Sequence, residues 1–188
     1  MINPLFSKLF GSMLENRINK WEEEGDKRAK GKTSFRPKHS TIDHGITLRH
    51  IIEKVWYKKE EAFCCLVDFK NAFDMVPRDK LWHRMEELGV PIHLRETVHR
   101  IYEEVKVKIR MSVGISKSFR SDIKVKQGCP LSPTLFGLYI DKLEEWLNSQ
   151  EGDGALLGDF LIRLLLYADD PILIAKSALG LQEHLILL

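Results

Sequence analysis

The chain has 188 residues, which is about the length of one domain and too short for two of ordinary size. Hydrophobic residues make up 44% of it and charged residues 30%, which excludes general disorder and a disulfide-stapled miniprotein. The apolar stretches are too short to span a bilayer and the N-terminus lacks a signal-peptide pattern. An intracellular protein, nuclear or cytoplasmic, without a membrane partner is therefore expected. Cys64, Cys65 and Cys129 cannot all pair, and we expect them to be small buried apolar residues.

Charge is distributed unevenly along the chain. Residues 1–60 contain thirteen lysines and arginines against eight acidic residues, whereas residues 121–188 contain five against ten. The overall net charge of +2 hides this gradient. A basic N-terminal third and an acidic C-terminal third predict different partners, a polyanion for the first and cations for the second.

Apolar spacing predicts helices and one strand in the first half of the chain. The run from Phe63 to Val67 is continuously apolar, which is typical of a fully buried central strand, and it ends at Asp68. The other predicted elements are a helix over 5–21, a solvated loop over 22–32, a helix that begins near residue 40, and short helices after Pro77 and after Pro91.

The second half begins with the clearest strand pattern. Residues 105–113 and 119–126 alternate apolar with polar side chains on either side of Gly114, which predicts a hairpin with one apolar and one mainly basic face. The basic face is either a solvated outer surface or a surface that contacts phosphates. Its basic residues are Lys106, Lys108, Arg110, Lys124 and Lys126.

The last third predicts helix, loop, hairpin and helix in that order. A helix follows Pro130–Pro133, a polar glycine-rich loop covers 149–158, and a final helix begins at Ser177. Between them, strands over 160–167 and 172–175 form a hairpin with two carboxylates at its tip.

Three carboxylates stand out within this pattern. Asp68 ends an apolar strand, where a charge is costly unless it is paired, exposed or bound to metal. Asp169 and Asp170 are adjacent, and like charges repel unless a cation joins them. Each feature alone is common in structural roles, because aspartate is frequent at strand ends and in turns. Together they suit a site in which two divalent cations assist phosphoryl transfer.

Four segments stand out in order along the chain, namely FRPKHST at residues 35–41, VDFKNAFD at 67–74, VKQGCPLSP at 125–133 and YADD at 167–170. They resemble motifs of the reverse transcriptases of non-LTR (LINE-type) retrotransposons, which are related to those of group II introns. The segments cover roughly residues 35–175, so the resemblance is specific. FRPKHST at Phe35–Thr41 resembles their GFRPxxST segment, VDFKNAFD at Val67–Asp74 their first palm motif, VKQGCPLSP at Val125–Pro133 their QGxPLSP motif, and YADD at Tyr167–Asp170 their YADD box.

The resemblance implies an α+β fold, the palm of a right-hand polymerase with an antiparallel sheet backed by helices and partial fingers. Residues 1–34 would be a helix and loop of the fingers, and residues 35–188 a palm core that stops before the thumb. The sequence lacks the upstream fingertip motif of the family, so we expect the middle of a larger polymerase.

The resemblance also implies the chemistry. Asp68 and Asp169 would be the main ligands of two Mg²⁺ ions, with Mn²⁺ as an alternative, and Asp170 a weaker participant. Partners would be an RNA template, a DNA primer and a dNTP. The primer 3′-hydroxyl would attack the α-phosphate, and pyrophosphate would leave.

Four further residues match substrate-binding positions of the family. Phe73 would be the aromatic gate that excludes a ribose 2′-hydroxyl, or else a core aromatic residue. Gln127 and Gly128 would line the nucleotide pocket. Arg36 would contact template or phosphate, or else pack within a salt bridge.

Pro171 departs from the family pattern, which has an aliphatic residue after the aspartate pair. Because proline donates no N–H, we expect it to loosen the tip of the hairpin and to lower activity. Three hypotheses follow: an RNA-directed DNA polymerase domain, a catalytically dead nucleic-acid-binding remnant, or a pseudogene product without a selected role.

Overall fold

The structure is a computed structural model that describes residues 5–25, 41–103, 105–112, 114–120, 123–126, 128–150, 152–167 and 169–188. All six predicted helices are confirmed, and the first extends to Gly25. They are α1 (Leu5–Gly25), α2 (Thr41–Lys58), α3 (Arg78–Glu87), α4 (Ile92–Glu103), α5 (Leu131–Ser149) and α6 (Ala178–Leu187). The strands are β1 (Phe63–Leu66), β2 (Lys106–Val107), β3 (Arg110–Met111), β4 (Gly114–Ile115), β5 (Phe119–Arg120), β6 (Ala155–Leu157), β7 (Phe160–Ile162), β8 (Leu164–Tyr167) and β9 (Asp170–Ala175).

The chain divides into two compact units. The first unit comprises residues 1–27 and 71–139, and the second unit residues 28–70 and 140–188, with one boundary inside α5. The predicted division at residue 34 falls in the segment 26–40, outside the described residues, and stays a prediction.

A three-stranded antiparallel sheet in the order β1-β9-β8 forms the centre of the second unit. The prediction of a fully buried central strand at 63–67 is wrong, because among the described strands β1 lies at an edge of this sheet and Leu66 is 78% exposed. The central strand is β9. Of the cysteines, Cys129 is buried as expected, whereas Cys65 is half-buried and Cys64 exposed.

Helices cover both faces of this sheet. On one face Ile174 of β9 packs with Ile51 of α2. On the other, Leu173 of β9 and Leu166 of β8 pack with Leu147 of α5. The side chains of β9 alternate between two apolar clusters, so the predicted antiparallel sheet backed by helices is confirmed.

The first unit is mainly helical. Gly11 of α1 lies close to the segment before α5, because a Cβ added there would approach Cys129 Sγ to 3.1 Å. The Arg84 Nε on α3 donates to the Leu138 carbonyl at 3.4 Å. The fully buried side chains of this unit include Ile18, Leu81, Met85, Val98, Val125, Leu131 and Leu135.

The predicted hairpin of the first unit is confirmed only for the described residues of 106–120. Its two ladders, β2 with β5 and β3 with β4, differ in register by one residue, which is a β-bulge. The bulge breaks the predicted alternation of faces, and Ile109 and Met111 are exposed. The prediction is wrong for the described residues of 121–126, because Ile123 forms a bridge with Pro77 instead.

The predicted strand over 160–167 is interrupted at Arg163. Strand β7 pairs with β6, which lies in the region predicted as a loop, and β8 starts a new strand that pairs with β9. The buried Arg163 guanidinium accounts for the break, since it donates to carbonyls of residues 147–153. In the described part of the chain, every helix is too short or too polar to cross a membrane.

Candidate active site

Asp68 and Asp170 face each other where the ladder between β1 and β9 ends. The last hydrogen bond of this ladder runs from the Val67 N–H to the Pro171 carbonyl at 2.9 Å. Continuation of the register places Asp68 opposite Asp170, and both lie on the sheet face that α2 covers. The fold therefore brings together two carboxylates that are far apart along the chain.

Asp169 lies between β8 and β9, next to Asp170. It is half-buried, whereas Asp68 and Asp170 are exposed. Within the described residues, none of these three side chains makes a hydrogen bond or an ion pair, and no three His, Cys, Asp or Glu side chains are grouped so that they could hold a metal ion. The predicted joint metal binding of the three carboxylates stays a prediction.

A cavity of about 500 Å³ lies beside the facing carboxylates. Carboxylate oxygens are ligands that Mg²⁺ prefers, with water and phosphate oxygens in its remaining positions. The pair fits such a cation in donor chemistry, and the cavity has room for the other ligands. It is lined by His44, Gly45 and Leu48 of α2 and by Leu66, Val67, Asp68, Asp170, Pro171 and Ile172.

Pro171 does not weaken the hairpin in the way the sequence predicts. The Ile174 N–H donates toward β8, to the Arg163 carbonyl at 2.9 Å, whereas the Pro171 carbonyl accepts from Val67 on the β1 side. Because residues alternate in direction along a strand, the N–H that proline lacks would also face β1. The missing hydrogen bond is thus between β9 and β1, next to Asp68, and the pairing of β8 with β9 loses no bond.

Phe73 and Gly128 belong to the first unit. Phe73 is half-buried, and its ring stacks on Phe136 with centroids 4.7 Å apart. Gly128 is the third residue of a turn closed by the Cys129 N–H and the Lys126 carbonyl at 3.1 Å, and its φ is +75°. A positive φ at this position strains any residue with a Cβ, which explains why the turn has a glycine there.

The five predicted basic residues have different environments. Lys108 and Arg110 are exposed, and Lys124 is half-buried with a φ of +78°. The Lys126 ammonium donates to the Ile101 carbonyl at 3.0 Å, and burial lowers its pKa. Arg36, Gln127 and the side chain of Lys106 lie outside the described residues. The predicted nucleic-acid contacts stay predictions.

Sequence reasoning missed two residues, one beside the facing carboxylates and one at the turn that contains Gly128. His44 is buried beside the facing carboxylates, and Tyr102 contacts the turn at Gly128 through its hydroxyl. Both occupy helical positions without a motif. A rule that asks for the partner of every buried polar group would have marked them as residues to examine.

An antiparallel sheet that helices cover on both faces fits the palm of a right-hand nucleic-acid polymerase. Solved structures support this fold. A telomerase from Candida albicans is similar over 97% of this chain and 32% of its own, with a TM-score of 0.56 and 13% identity. A telomerase from Candida tropicalis is similar over 94% and 35%, with a TM-score of 0.54 and 12% identity. At this identity the likeness shows the right-hand polymerase fold alone.

Residues 2–188 match the family described as reverse transcriptase (RNA-dependent DNA polymerase), and the chain belongs to this family. It is 29% identical over 138 residues to a Pol polyprotein from retrotransposable element R2 of Nasonia vitripennis, which covers 73% of this chain and 13% of that protein. It is 28% identical over 188 residues to the RNA-directed DNA polymerase from mobile element jockey of Drosophila funebris, covering 97% and 20%.

A third relative, from element R2DM of Drosophila melanogaster, is 27% identical over 174 residues. The predicted resemblance to non-LTR retrotransposon reverse transcriptases is confirmed. The chain spans 13–20% of the length of these curated relatives.

Proposed function

We propose that this chain is the palm and partial fingers of an RNA-directed DNA polymerase that joins deoxynucleotides to a DNA primer on an RNA template. The observation that carries the proposal is the facing pair Asp68 and Asp170 beside a cavity of about 500 Å³. Membership of the reverse transcriptase family supports it. Copying RNA into DNA for a retrotransposon takes place inside the cell, in the nucleus or the cytoplasm.

Asp68, Asp169 and Asp170 would hold two Mg²⁺ or Mn²⁺ ions, which supply activation of the attacking hydroxyl and stabilisation of the leaving group. The primer 3′-hydroxyl oxygen bonds to the α-phosphorus of the dNTP, and the bond from this phosphorus to the pyrophosphate oxygen breaks. The hydroxyl proton passes to solvent. The cavity walls from α2 and β9 would limit the positions open to the reacting phosphate.

Four residues are proposed to select and hold the nucleotide. Phe73 would exclude the ribose 2′-hydroxyl, and its stacking on Phe136 supports the role because a ring held in one orientation makes a better steric gate. Gly128 allows close approach of the backbone to the substrate. Gln127 and Arg36 are proposed to contact nucleotide and template from the resemblance.

Primer extension on poly(rA)/oligo(dT) with Mg²⁺ tests the proposal. Asp68→Asn and Asp169→Asn keep the size of the side chain and remove its charge. Each should lower extension by about 100-fold or more, since a metal ligand contributes several kcal/mol to the transition state. Asp159→Asn, in the exposed turn between β6 and β7, is the matched control and should leave extension unchanged. Absence of extension by the wild-type chain, or equal activity of all four proteins, would refute the proposal.

A second candidate is nucleic-acid binding without catalysis. It is favoured by Lys108 and Arg110, which are exposed on the bulged hairpin and free to reach phosphates. Phosphate contacts hold a nucleic-acid strand without reading its sequence. RNA binding without primer extension would support this candidate over the first, and absence of both would support the third hypothesis, a chain without a selected role.

The salt dependence of RNA binding tests this candidate. Replacement of Lys108 and Arg110 by glutamine should reduce the slope of log K against log salt by about 0.7 for each phosphate that the protein no longer neutralises. Lys80→Gln, at an exposed position of α3, is the control and should leave the slope as it is. An unchanged slope in the double variant would exclude the hairpin from the RNA interface.

A further inference from the structure

Side-chain hydroxyl groups hold the backbone of Lys126 on both sides. The Lys126 N–H donates to Tyr102 Oη at 3.3 Å, and the Lys126 carbonyl accepts from Ser132 Oγ at 2.6 Å. Tyr102 Oη and Ser132 Oγ lie 3.4 Å apart. All three residues belong to the first unit.

Proton counting gives each of these hydrogen bonds a direction. A carbonyl oxygen only accepts, so the single hydroxyl proton of Ser132 lies on the bond to Lys126. Tyr102 must then donate to Ser132, which leaves the tyrosine oxygen to accept the Lys126 N–H. The three groups form a closed hydrogen-bond circuit that runs from the Lys126 N–H through Tyr102 and Ser132 to the Lys126 carbonyl.

Lys126 is also the first residue of the turn that contains Gly128. Its carbonyl accepts the Cys129 N–H at 3.1 Å as well as the Ser132 hydroxyl, so both of its lone pairs are used. The turn is tied on its other side, where the Val125 N–H donates to the Phe73 carbonyl at 3.1 Å. The circuit therefore fixes the peptide groups from which the turn starts.

The ring of Tyr102 is held firmly enough to set the position of its hydroxyl. Tyr102 is only 2% exposed, and two cations lie over its ring, the Arg78 Cζ at 5.1 Å from the ring centroid and the Lys126 Nζ at 5.2 Å. Trp82 meets the ring edge-on at 5.8 Å between centroids. Burial raises the pKa of Tyr102, so the hydroxyl keeps the proton that the circuit needs.

We infer that Tyr102 is a positioning residue for the nucleotide-binding turn, because its hydroxyl fixes, through Lys126 and Ser132, the turn that carries Gly128. This inference deepens the proposed function and rests on it for the identity of the ligand, a dNTP. Tyr102 does not touch the substrate. It acts through the backbone on which the nucleotide would lie.

Amide hydrogen exchange tests the positioning role without reference to catalysis. Tyr102→Phe keeps the ring and removes the hydroxyl, and exchange of the amides over residues 123–129 should become about tenfold faster, as expected for the loss of one net hydrogen bond. Tyr57→Phe, at a position that is 89% exposed, is the matched control and should exchange like the wild type. Unchanged exchange in Tyr102→Phe would overturn the inference.

Ser132→Ala breaks the same circuit at a second point. Because the circuit acts as one unit, the double variant Tyr102→Phe/Ser132→Ala should accelerate exchange little beyond either single variant. Multiplied effects in the double variant would show two independent contacts and would contradict the circuit.

Steady-state primer extension shows whether the positioned turn serves the nucleotide. In Tyr102→Phe the KM for dTTP should rise several-fold while kcat stays within about twofold of the wild type, the signature of weakened substrate binding. Faster exchange with an unchanged KM would show that Tyr102 holds the turn but does not position it for the nucleotide, and would overturn that part of the inference. If the wild type extends no primer, the proposed function fails by itself, and the exchange comparison alone decides the positioning role.

Discussion

Replacement of Arg163 by alanine should destabilise the second unit severely. The guanidinium donates to four backbone carbonyls, those of Gly152 at 2.8 Å, Asp153 at 3.2 Å, Leu147 at 3.2 Å and Asn148 at 3.3 Å. A buried acceptor left without a donor costs about 1 kcal/mol or more. Only the bond to the Leu147 carbonyl is fully buried, and water replaces part of the other three, so the four bonds together suggest a loss of about 2–4 kcal/mol. Breaking a buried hydrogen-bond network is one of the few mechanisms that give losses of this size.

Urea denaturation measures this loss as a shift of the unfolding midpoint at constant slope. Arg163→Lys should be intermediate, because an ammonium lacks the planar fork of donors that reaches several carbonyls at once. Arg49→Ala is the control. It removes an exposed ion pair with Glu53 at 2.7 Å, which solvent screens, so the unfolding midpoint should hardly move. A loss below about 1 kcal/mol in Arg163→Ala would show that the carbonyls find other donors and would refute this reasoning.

Three further predictions concern the second unit. Gly180→Ala would place a Cβ 2.6 Å from Asp153 Cβ, and urea denaturation should show that the free energy of unfolding falls by about 1–3 kcal/mol. Wild-type stability of this variant would mean that the loop containing Asp153 moves aside without cost. Burial lowers the pKa of His184 below its ordinary value of 6.5, so the unfolded chain binds the proton first, and the free energy of unfolding should fall as pH drops below 6.5. In His184→Leu that part of the pH dependence should vanish, and an identical pH profile would rule out this histidine as its source. Pro171→Val adds an N–H that faces the Val67 carbonyl, and the new amide should be protected in hydrogen exchange. Fast exchange of this amide would contradict the assigned direction of the missing bond. The substitution also returns conformational entropy to the unfolded chain, about 0.4–1 kcal/mol, which offsets the new hydrogen bond, so global stability should stay nearly constant.

The helices follow from local sequence patterns, which explains why all six are predicted correctly. Helical spacing and caps act within a few residues; for example, Ser177 begins α6 and its hydroxyl accepts the Gly180 N–H at 3.0 Å. The strands depend on partners far along the chain. The run from Phe63 to Val67 has the composition of a central strand, yet it occupies an edge, because β9 pairs with it on one side only among the described strands.

The prediction of a regular hairpin over 105–126 is wrong for the same reason, because strand pairing depends on residues that are distant in the sequence. Alternation along 105–126 predicts one continuous basic face, but a change of register by one residue between two short ladders moves side chains to the other face. The pairing of Ile123 with Pro77 then takes the segment out of the hairpin. Neither event leaves a local signal in the sequence.

By itself the sequence determined the family and predicted which residues form the site, because the motifs around Asp68, Gly128 and Asp169 are read from consecutive residues. The tertiary structure alone decided which groups meet. Asp68 faces Asp170, about a hundred residues away, because two helix-covered faces of the sheet allow only one register of β1 against β9. The circuit through Tyr102 likewise exists only because α4 and the start of α5 bring two hydroxyl groups to the backbone of one residue, Lys126, a proximity that no periodicity along the chain encodes.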